Sequence, residues 1–224
     1  MTTDGRLVRG DHTRRRILAR AMDIASVEGL DGLSIGRLAT ELEVSKSGVF
    51  AHFGSKEELQ LAVIRAAKDV FAERIVQPAF AHPPGARRLV ALVEGWISYS
   101  ERRIFPGGCF FYSVGAEFDA RPGRVRDALA EARREWLGLN AQTIRDAQQL
   151  GELDKGVGPG QLAFELDAFA AAANSAALLL DDAASYDKAR TAIRSRLRGI
   201  ATDPGLIEQP PAAVPPRAGK EAPR

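Results

Sequence analysis

Apolar residues recur at spacings of three and four along most of the chain, which is the period of a helix with one buried face. The first such run predicts a helix that begins after a cap at Asp11 or Thr13 and ends at Glu28, before Gly29. No stretch of useful length alternates apolar and polar residues as a half-buried strand does. The pattern therefore predicts an all-α fold.

The segment 33–59 predicts a helix-turn-helix followed by a supporting helix, because three short helical runs are separated by tight turns. Ser34 caps the first helix of the pair and Ser45 caps the second. The second helix opens with small and polar residues, so its first turn can approach the bases and phosphates of a DNA major groove. Val49 and Phe53 are its predicted apolar anchors.

Cations near the starts of two predicted helices suggest contacts with phosphate. Lys56 follows the cap Ser55, and Glu58 completes a predicted capping box there. Three arginines, residues 14–16, crowd the first turn of the first helix. A cation at the positive end of a helix dipole is unfavourable unless an anion lies close by, and a DNA phosphate is the predicted anion. A solvated charged face remains the alternative for each arginine.

The run SIGRLATELEVSKSGVFAHFGSKEEL, which begins at Ser34, resembles the N-terminal DNA-binding domain of the TetR/AcrR family of transcriptional regulators. The Gly-x-x-x-His-Phe and Ser-Lys-Glu-Glu-Leu blocks stand at the spacing of that family, and the resemblance covers about the first quarter of the chain. Phe50 departs from it, since family members often carry a tyrosine there whose hydroxyl serves a phosphate. Backbone anchoring would then depend more on His52 and Lys56.

The residues predicted to contact DNA lie in the first helix, the helix-turn-helix and the start of the supporting helix. They are Arg14, Arg15, Arg16, Thr40, Ser45, Lys46, Ser47, Gly48, Phe50, His52 and Lys56. Lys46 and Ser47 are favoured near bases, and the arginines, Thr40, His52 and Lys56 near phosphates.

Beyond residue 59 the pattern is helical almost throughout. A helix over 55–76 is predicted to end before Gln77-Pro78, because proline interrupts the helical hydrogen bonds. Of the last two helices, the first has a second, alanine-lined face that permits close approach across a subunit boundary. The predicted dimer interface consists of Ala172, Ala176, Leu180, Ile193 and Leu197. The family resemblance implies a four-helix dimer interface, and a fully intramolecular core helix is the alternative.

The middle of the chain is rich in aromatic residues, and apolar pockets between helices are common ligand sites. The resemblance implies an inducer pocket in the C-terminal domain. The predicted lining residues are Trp96, Phe105, Cys109, Phe110, Tyr112, Phe118, Trp136 and Phe169. Plain core packing is the alternative for each aromatic residue. Cys109 is predicted to be a buried apolar residue or a pocket liner, not a redox sensor.

Composition and charge exclude several classes of protein. The chain has 224 residues, a net charge of +2 and a single cysteine, so an intramolecular disulfide is impossible and DNA binding must depend on clustered charge. We find no catalytic motif, cofactor motif or metal-binding motif, no signal peptide and no membrane span in the sequence. The expectation is a cytoplasmic protein that is not an enzyme and needs no cofactor.

These patterns predict a mobile arm at 1–11, a helix-turn-helix DNA-binding domain at 12–58, a helical regulatory and dimerisation domain at 59–202 and a disordered proline-rich tail at 203–224. The predicted function is a homodimeric transcriptional regulator, a repressor released from a palindromic operator by a small apolar or aromatic effector. The alternative is a helical protein-interaction or ligand-binding module without sequence-specific DNA binding.

Overall fold

The computed structural model describes residues 3–208, with side chains from residue 10 onward. Within that range the backbone forms helices and turns, with two isolated bridges and no strand. The helices are α1 (Thr3–Glu28), α2 (Ile35–Glu41), α3 (Lys46–Phe53), α4 (Lys56–Phe71), a π-helical segment (Ala72–Val76), α5 (Gln77–Phe80), α6 (Ala86–Glu101), α7 (Phe110–Phe118), α8 (Arg124–Gln149), α9 (Pro159–Leu179), α10 (Ala184–Arg198) and α11 (Gly205–Glu208). The predicted all-α fold is confirmed.

The chain divides into two compact units. Unit 1 comprises Met1–Asp69 and Phe105–Glu131, and unit 2 comprises Val70–Ile104 and Ala132–Arg224. The domain bounds predicted from the sequence do not mark this grouping, because the segment 105–131 belongs with the N-terminal helices. The functional domain boundaries themselves stay a prediction.

Unit 1 is organised around the apolar face of α1. Ile17, Ala21, Ile24 and Ala25 are all at most 3% exposed, as their helical spacing predicts. The helices α2, α3 and α7 pack against α1. The apolar stripe of this helix is therefore the centre of the unit.

The turn before α7 approaches α1 so closely that only glycine fits. A Cβ atom built on Gly107 would lie 1.7 Å from the backbone oxygen of Ser26. The N–H group of Gly107 donates to the Ser26 hydroxyl at 3.1 Å. Both contacts attach the segment 105–118 to α1.

Unit 2 is built on α6, α9 and α10. The apolar face of α6 is buried, including Leu89, Leu92 and Trp96. The hydroxyl of Ser100 on α6 donates to Asn174 Oδ1 on α9 at 2.6 Å and lies 2.8 Å from the Tyr186 hydroxyl on α10. This buried polar contact fixes the three helices relative to one another.

Two predicted helix ends and the tail need correction. The helix α1 starts at Thr3, because no proline interrupts the run and two glycines cost only about 1 kcal/mol each. The helical path also continues past Pro78, where the π-helical turn and α5 accommodate the missing N–H group. In the predicted tail, Gly205–Glu208 is helical with Ile207 buried, and residues 209–224 lie outside the described range.

One described helix, α9, is long and apolar enough to cross a bilayer by length and composition alone. Much of that helix is buried against α10 and α6 within unit 2. Core helices of this kind meet the same length and composition criteria, so the observation is weak evidence for a membrane span.

Candidate DNA-binding and regulatory sites

The helix-turn-helix is held by side-chain caps at the start of both helices. Ser34 Oγ accepts from the N–H of Arg37 at 3.0 Å, and Ser45 Oγ accepts from the N–H of Gly48 at 3.0 Å. Glu43 takes a φ of 55° in the turn between the helices. Both predicted caps are present, and they fix where α2 and α3 begin.

The helix α3 presents a polar outer side on apolar anchors. Val49 and Phe53 are 0% and 7% exposed, as predicted for anchors. Outside them, Phe50 is 54% exposed. An exposed phenyl ring at this position can pack against the sugar or a thymine methyl group, although it cannot donate a hydrogen bond to phosphate.

The residues predicted to contact DNA all belong to unit 1 and are accessible. Eight are exposed, namely Arg15, Arg16, Thr40, Ser45, Lys46, Ser47, Phe50 and Lys56, and three are half-buried, namely Arg14, Gly48 and His52. The guanidinium of Arg14 lies 5.3 Å from the centre of the Phe53 ring, a cation–π distance. Their contacts with DNA stay a prediction.

The anion near Lys56 is supplied at least partly by the chain itself. Lys56 Nζ donates to the backbone oxygen of Asp31 at 2.8 Å and lies 3.7 Å from Asp31 Oδ1. Arg121 pairs with the same carboxylate, and this contact is the main reason why the pKa of Asp31 is lowered. Lys56 therefore has an anionic partner within its own chain and does not require an external phosphate at this helix start.

The start of α4 has half of its predicted capping box. Ser55 Oγ accepts from the N–H of Glu58 at 3.1 Å. The carboxylates of Glu58 and Glu57 pair with Arg124, at 2.6 Å and 3.0 Å. Pairing with Arg124 thus replaces the expected return bond of Glu58, and it joins α4 to the start of α8.

An ion network that the sequence patterns did not reveal ties α1 to α2. Arg37 pairs with Glu28 and Glu41, and Arg20 pairs with Glu41 at 2.5 Å. The pKa of Glu28 is lowered mainly by its hydrogen bond with Arg37, and the pKa of Glu41 mainly by that with Arg20. The sequence contained one sign of this network: Arg37 and Glu41 are four positions apart, the spacing at which opposite charges pair on a helix.

The residues of the predicted effector pocket divide between the two units. Phe105, Cys109, Phe110, Tyr112 and Phe118 belong to unit 1, whereas Trp96, Trp136 and Phe169 belong to unit 2. Phe105, Cys109 and Phe110 are at most 1% exposed, because the segment 105–118 packs against α1. This burial is what core packing, the alternative interpretation, predicts for these three residues, and their place in an effector pocket stays a prediction.

A small cavity in unit 2 is lined by the two tryptophans. Trp96 and Trp136 share it with Asn140, Asp167 and apolar residues of α6 and α9. The Asp167 side chain is 4% exposed; it accepts from Arg133 and from Trp136 Nε1, the latter at 3.2 Å. Neither Asn140 nor Asp167 was predicted from the sequence. Asp167 could have been noticed, because it is an acid among the apolar residues of α9 and acids are rarely buried without a partner.

The predicted dimer residues differ in accessibility. Ala172 is exposed, Ala176 is half-buried and Leu180 is 69% exposed. Ile193 and Leu197 are 5% and 0% exposed, because the apolar side of α10, on which both lie, packs against α9 of the same chain. The prediction from the sequence placed Ile193 and Leu197 in the dimer interface, but other residues of the same chain already cover both.

Other residues complete an exposed apolar face on α9. Phe164 is 60% exposed and Leu179 is 81% exposed, and Ala168 and Ala172 lie between them at helical spacing. The sequence pattern indicated the alanines of this face but not the larger side chains at its ends. An apolar strip of this kind is unusual on a monomer surface.

Two family models match the chain. The model for bacterial regulatory proteins of the tetR family matches residues 17–63, and the model for the tetracyclin repressor-like C-terminal domain matches residues 85–193. The first covers the helix-turn-helix, and the second covers most of the helices that come after α5.

Individual proteins agree with these models. The transcriptional regulator AcuR of Cereibacter sphaeroides is 28% identical over 153 residues, which cover 66% of this chain and 68% of AcuR. A TetR transcriptional regulator of Chloroflexus aurantiacus superposes with a TM-score of 0.80 and 25% identity, covering 86% of this chain and 98% of that chain. AibR, in complex with isovaleryl coenzyme A and operator DNA, has a similar fold, with a TM-score of 0.59, 21% identity and coverage of 71% and 84%.

The capped helix-turn-helix, its accessible polar side and both family matches lead to one assignment. This chain belongs to the TetR family of DNA-binding transcriptional regulators.

Proposed function

We propose that the protein is a homodimeric repressor that binds a palindromic operator and is released from it by a small effector. The observation that carries this proposal is α3, a capped helix with buried apolar anchors and an exposed polar first turn. The family assignment supports the same role. The protein acts in the cytoplasm and by binding, without a catalytic step.

The DNA-binding domain, residues 12–58, inserts α3 into the major groove. Lys46 and Ser47, both exposed at the start of that helix, contact base edges. Arg15 and Arg16 on α1 and Thr40 on α2 contact phosphates from the flanks. Because phosphate contacts add affinity without sequence information, α3 supplies the specificity.

The dimer interface lies on the exposed apolar face of α9. Phe164, Ala168, Ala172 and Leu179 bury this strip against the same strip of a second copy. Small side chains at its centre let two helices approach closely. A two-fold axis through this face explains why the operator would be a palindrome.

The effector acts on the regulatory domain, residues 59–202. A ligand can shift the equilibrium between two states only by its preference for one of them, typically about 1 to 3 kcal/mol in regulators. AibR is a protein of similar fold whose structure holds both a coenzyme A thioester and operator DNA. The effector of this chain binds in the helical unit 2, since the helix-turn-helix belongs to unit 1.

A selection from random duplex DNA tests this function. The purified protein is mixed with the DNA pool at low and at moderate salt, and the retained sequences are read. We expect a two-fold symmetric site that survives the salt increase, with half-sites about one helical turn or more apart. Recovery of no sequence, or binding that vanishes with salt, would favour the helical module without sequence-specific DNA binding.

A further inference from the structure

The small cavity between α6, α8 and α9 is lined by aromatic, apolar and polar side chains. Both tryptophans of the chain line it, together with Asn140 and Asp167. The space open to the centre of a water molecule is about 10 Å³, roughly the room that one water needs. A larger ligand can enter only if a side chain that lines the cavity, or one that contacts a lining residue, moves.

Two lining residues of this cavity, Asp167 and Asn140, offer hydrogen-bond acceptors to a ligand. Asp167 is a buried carboxylate, and the indole N–H of Trp136 is already used on it. Asn140 is 3% exposed, and its Nδ2 donates to the backbone oxygen of Trp136 at 2.9 Å. No residue in the described range donates to Asn140 Oδ1, although this atom is buried. A buried acceptor without a donor is costly, so a ligand with N–H groups is favoured there.

The aromatic walls favour the same class of ligand. Trp96 is 2% exposed, and the Trp136 and Phe71 rings pack edge to face with their centres 5.1 Å apart. The face of an indole ring attracts cations, particularly where water is excluded. A carboxylate ligand would have to take Arg133 from Asp167, which would place two negative charges side by side in a buried site, and the electron-rich ring faces would also repel it.

We propose that the effector is a small organic amine that binds as its ammonium ion between Trp96 and Trp136. Its N–H groups donate to Asp167 and to Asn140 Oδ1, and its apolar body lies against the two indoles. This inference rests on the effector-controlled function proposed above and assigns a ligand class to it.

Arg133 provides the room and the charge balance. Its guanidinium holds Asp167 in the ligand-free protein, yet its side chain is 43% exposed. The incoming ammonium replaces this guanidinium beside Asp167, and Arg133 turns toward solvent. The buried carboxylate therefore keeps a cationic partner throughout, which avoids the large cost of an uncompensated buried charge. Ligand binding thereby exchanges a contact between α8 and α9 for one with the ligand.

The chain carries its own reporter for this event, because its only two tryptophans line the cavity. Tryptophan fluorescence of the full chain would be titrated with matched sets of ligands on one carbon skeleton, such as benzylamine, benzyl alcohol and benzoate, and a corresponding aliphatic set. We expect a saturable change with the amines, at least roughly tenfold tighter than with the neutral or anionic members.

Two variants and one control locate the site. Asp167→Asn and Asn140→Leu should each weaken amine binding by roughly tenfold or more. Glu165→Gln is the matched control, because Glu165 lies on the same helix but pairs with Arg196 outside the cavity. We expect it to leave amine affinity unchanged. If Asp167→Asn fails to fold by circular dichroism, Asn140→Leu alone decides.

Other outcomes would overturn the proposal. These are saturable binding of the carboxylates in preference to the amines, no response to any amine, or equal amine affinity in the folded cavity variants and in Glu165→Gln. Fluorescence titration requires no DNA, whereas operator binding is measured without ligand. Failure of amine recognition is therefore distinguishable from failure of DNA binding.

Discussion

The carboxylate of Glu117 accepts a hydrogen bond from the backbone N–H of Leu30 at 2.7 Å, although the residues are 87 positions apart in the chain. Its second oxygen accepts from the N–H of Asp31 at 2.9 Å. One acid on α7 thus satisfies two amides of the turn that leads from α1 into the helix-turn-helix. A residue outside the predicted DNA-binding domain, residues 12–58, therefore helps to hold the turn that precedes the helix-turn-helix.

Glu117→Ala should destabilise unit 1 by about 1 to 3 kcal/mol, because two amides lose their acceptor. Glu117→Gln should cost less, since the amide keeps one oxygen. Chemical denaturation followed by circular dichroism measures the loss. Asp119→Asn, an exposed acid two positions further along, is the control and should change little. Equal stability of Glu117→Ala and Asp119→Asn would contradict a structural role for Glu117.

Gly107→Ala should destabilise the protein by about 3 kcal/mol or more, because the new methyl group would overlap the backbone of Ser26. Gly115→Ala is the matched control on α7, where an added Cβ meets nothing within 4 Å. That substitution should be neutral or stabilising by up to about 1 kcal/mol, as expected for alanine in a helix. Thermal unfolding of both variants tests the pair, and similar melting temperatures would count against the close approach.

Lys56→Ala should weaken binding to all DNA sequences by the same factor and lower the slope of log K against log salt by about one unit. Lys155→Ala removes the same charge from a loop of unit 2 and should leave the slope unchanged. The two slopes are measured by fluorescence anisotropy with a labelled duplex. An unaltered slope for Lys56→Ala would leave this lysine only its contact with Asp31.

If the proposed dimer forms through the apolar face of α9, Ala172→Arg should convert it into monomers, because a long charged side chain would be placed in the centre of that face. Ala116→Arg adds the same side chain to α7, outside that face, and should leave the dimer intact. Sedimentation velocity separates the two species. A dimer that persists in Ala172→Arg would locate the interface elsewhere.

Acid should destabilise unit 1 through the network of Arg20, Arg37, Glu28 and Glu41. The folded protein lowers the pKa of both glutamates below their ordinary value of 4.5. Their stabilisation is therefore complete above pH 4.5 and is lost as the pH falls through the lower folded values. Both groups are accessible to solvent, so the effect should be modest.

Melting temperatures between pH 6 and pH 3 test this pH dependence. Glu41→Gln should flatten the acid side of the profile, because the variant has already lost the pairs with Arg20 and Arg37. Glu43→Gln, in the turn after α2, is the control and should keep the profile of the unaltered protein. Parallel profiles for all three proteins would remove the network from the explanation.

Local patterns were enough to predict the helix-turn-helix. The caps at Ser34 and Ser45 and the anchors Val49 and Phe53 depend on residues at most four positions away, and all are as predicted. Such short-range preferences are written directly in the sequence. The apolar stripe of α1 was predictable for the same reason.

Long-range partners were not predictable in this way. The helical period predicted that Ile193 and Leu197 lie on a buried face, but it does not specify whether α9 of the same chain or a second chain covers that face. The aromatic residues near Phe110 likewise gave no sign that they pack against α1. Pairs such as Arg133 with Asp167 depend on how separate helices meet, which one sequence does not specify.

The π-helical segment Ala72–Val76 changes the direction in which the chain presents the residues after it. A π-turn holds about one residue more than an α-turn, so the residues after it are rotated by about 100° relative to an uninterrupted α-helix. With this rotation Ala79 is 1% exposed in unit 2, while Phe80 remains 46% exposed. The segment is structurally equivalent to one extra residue accommodated within a continuous helical path, so deleting a residue there would turn Ala79 away from its core.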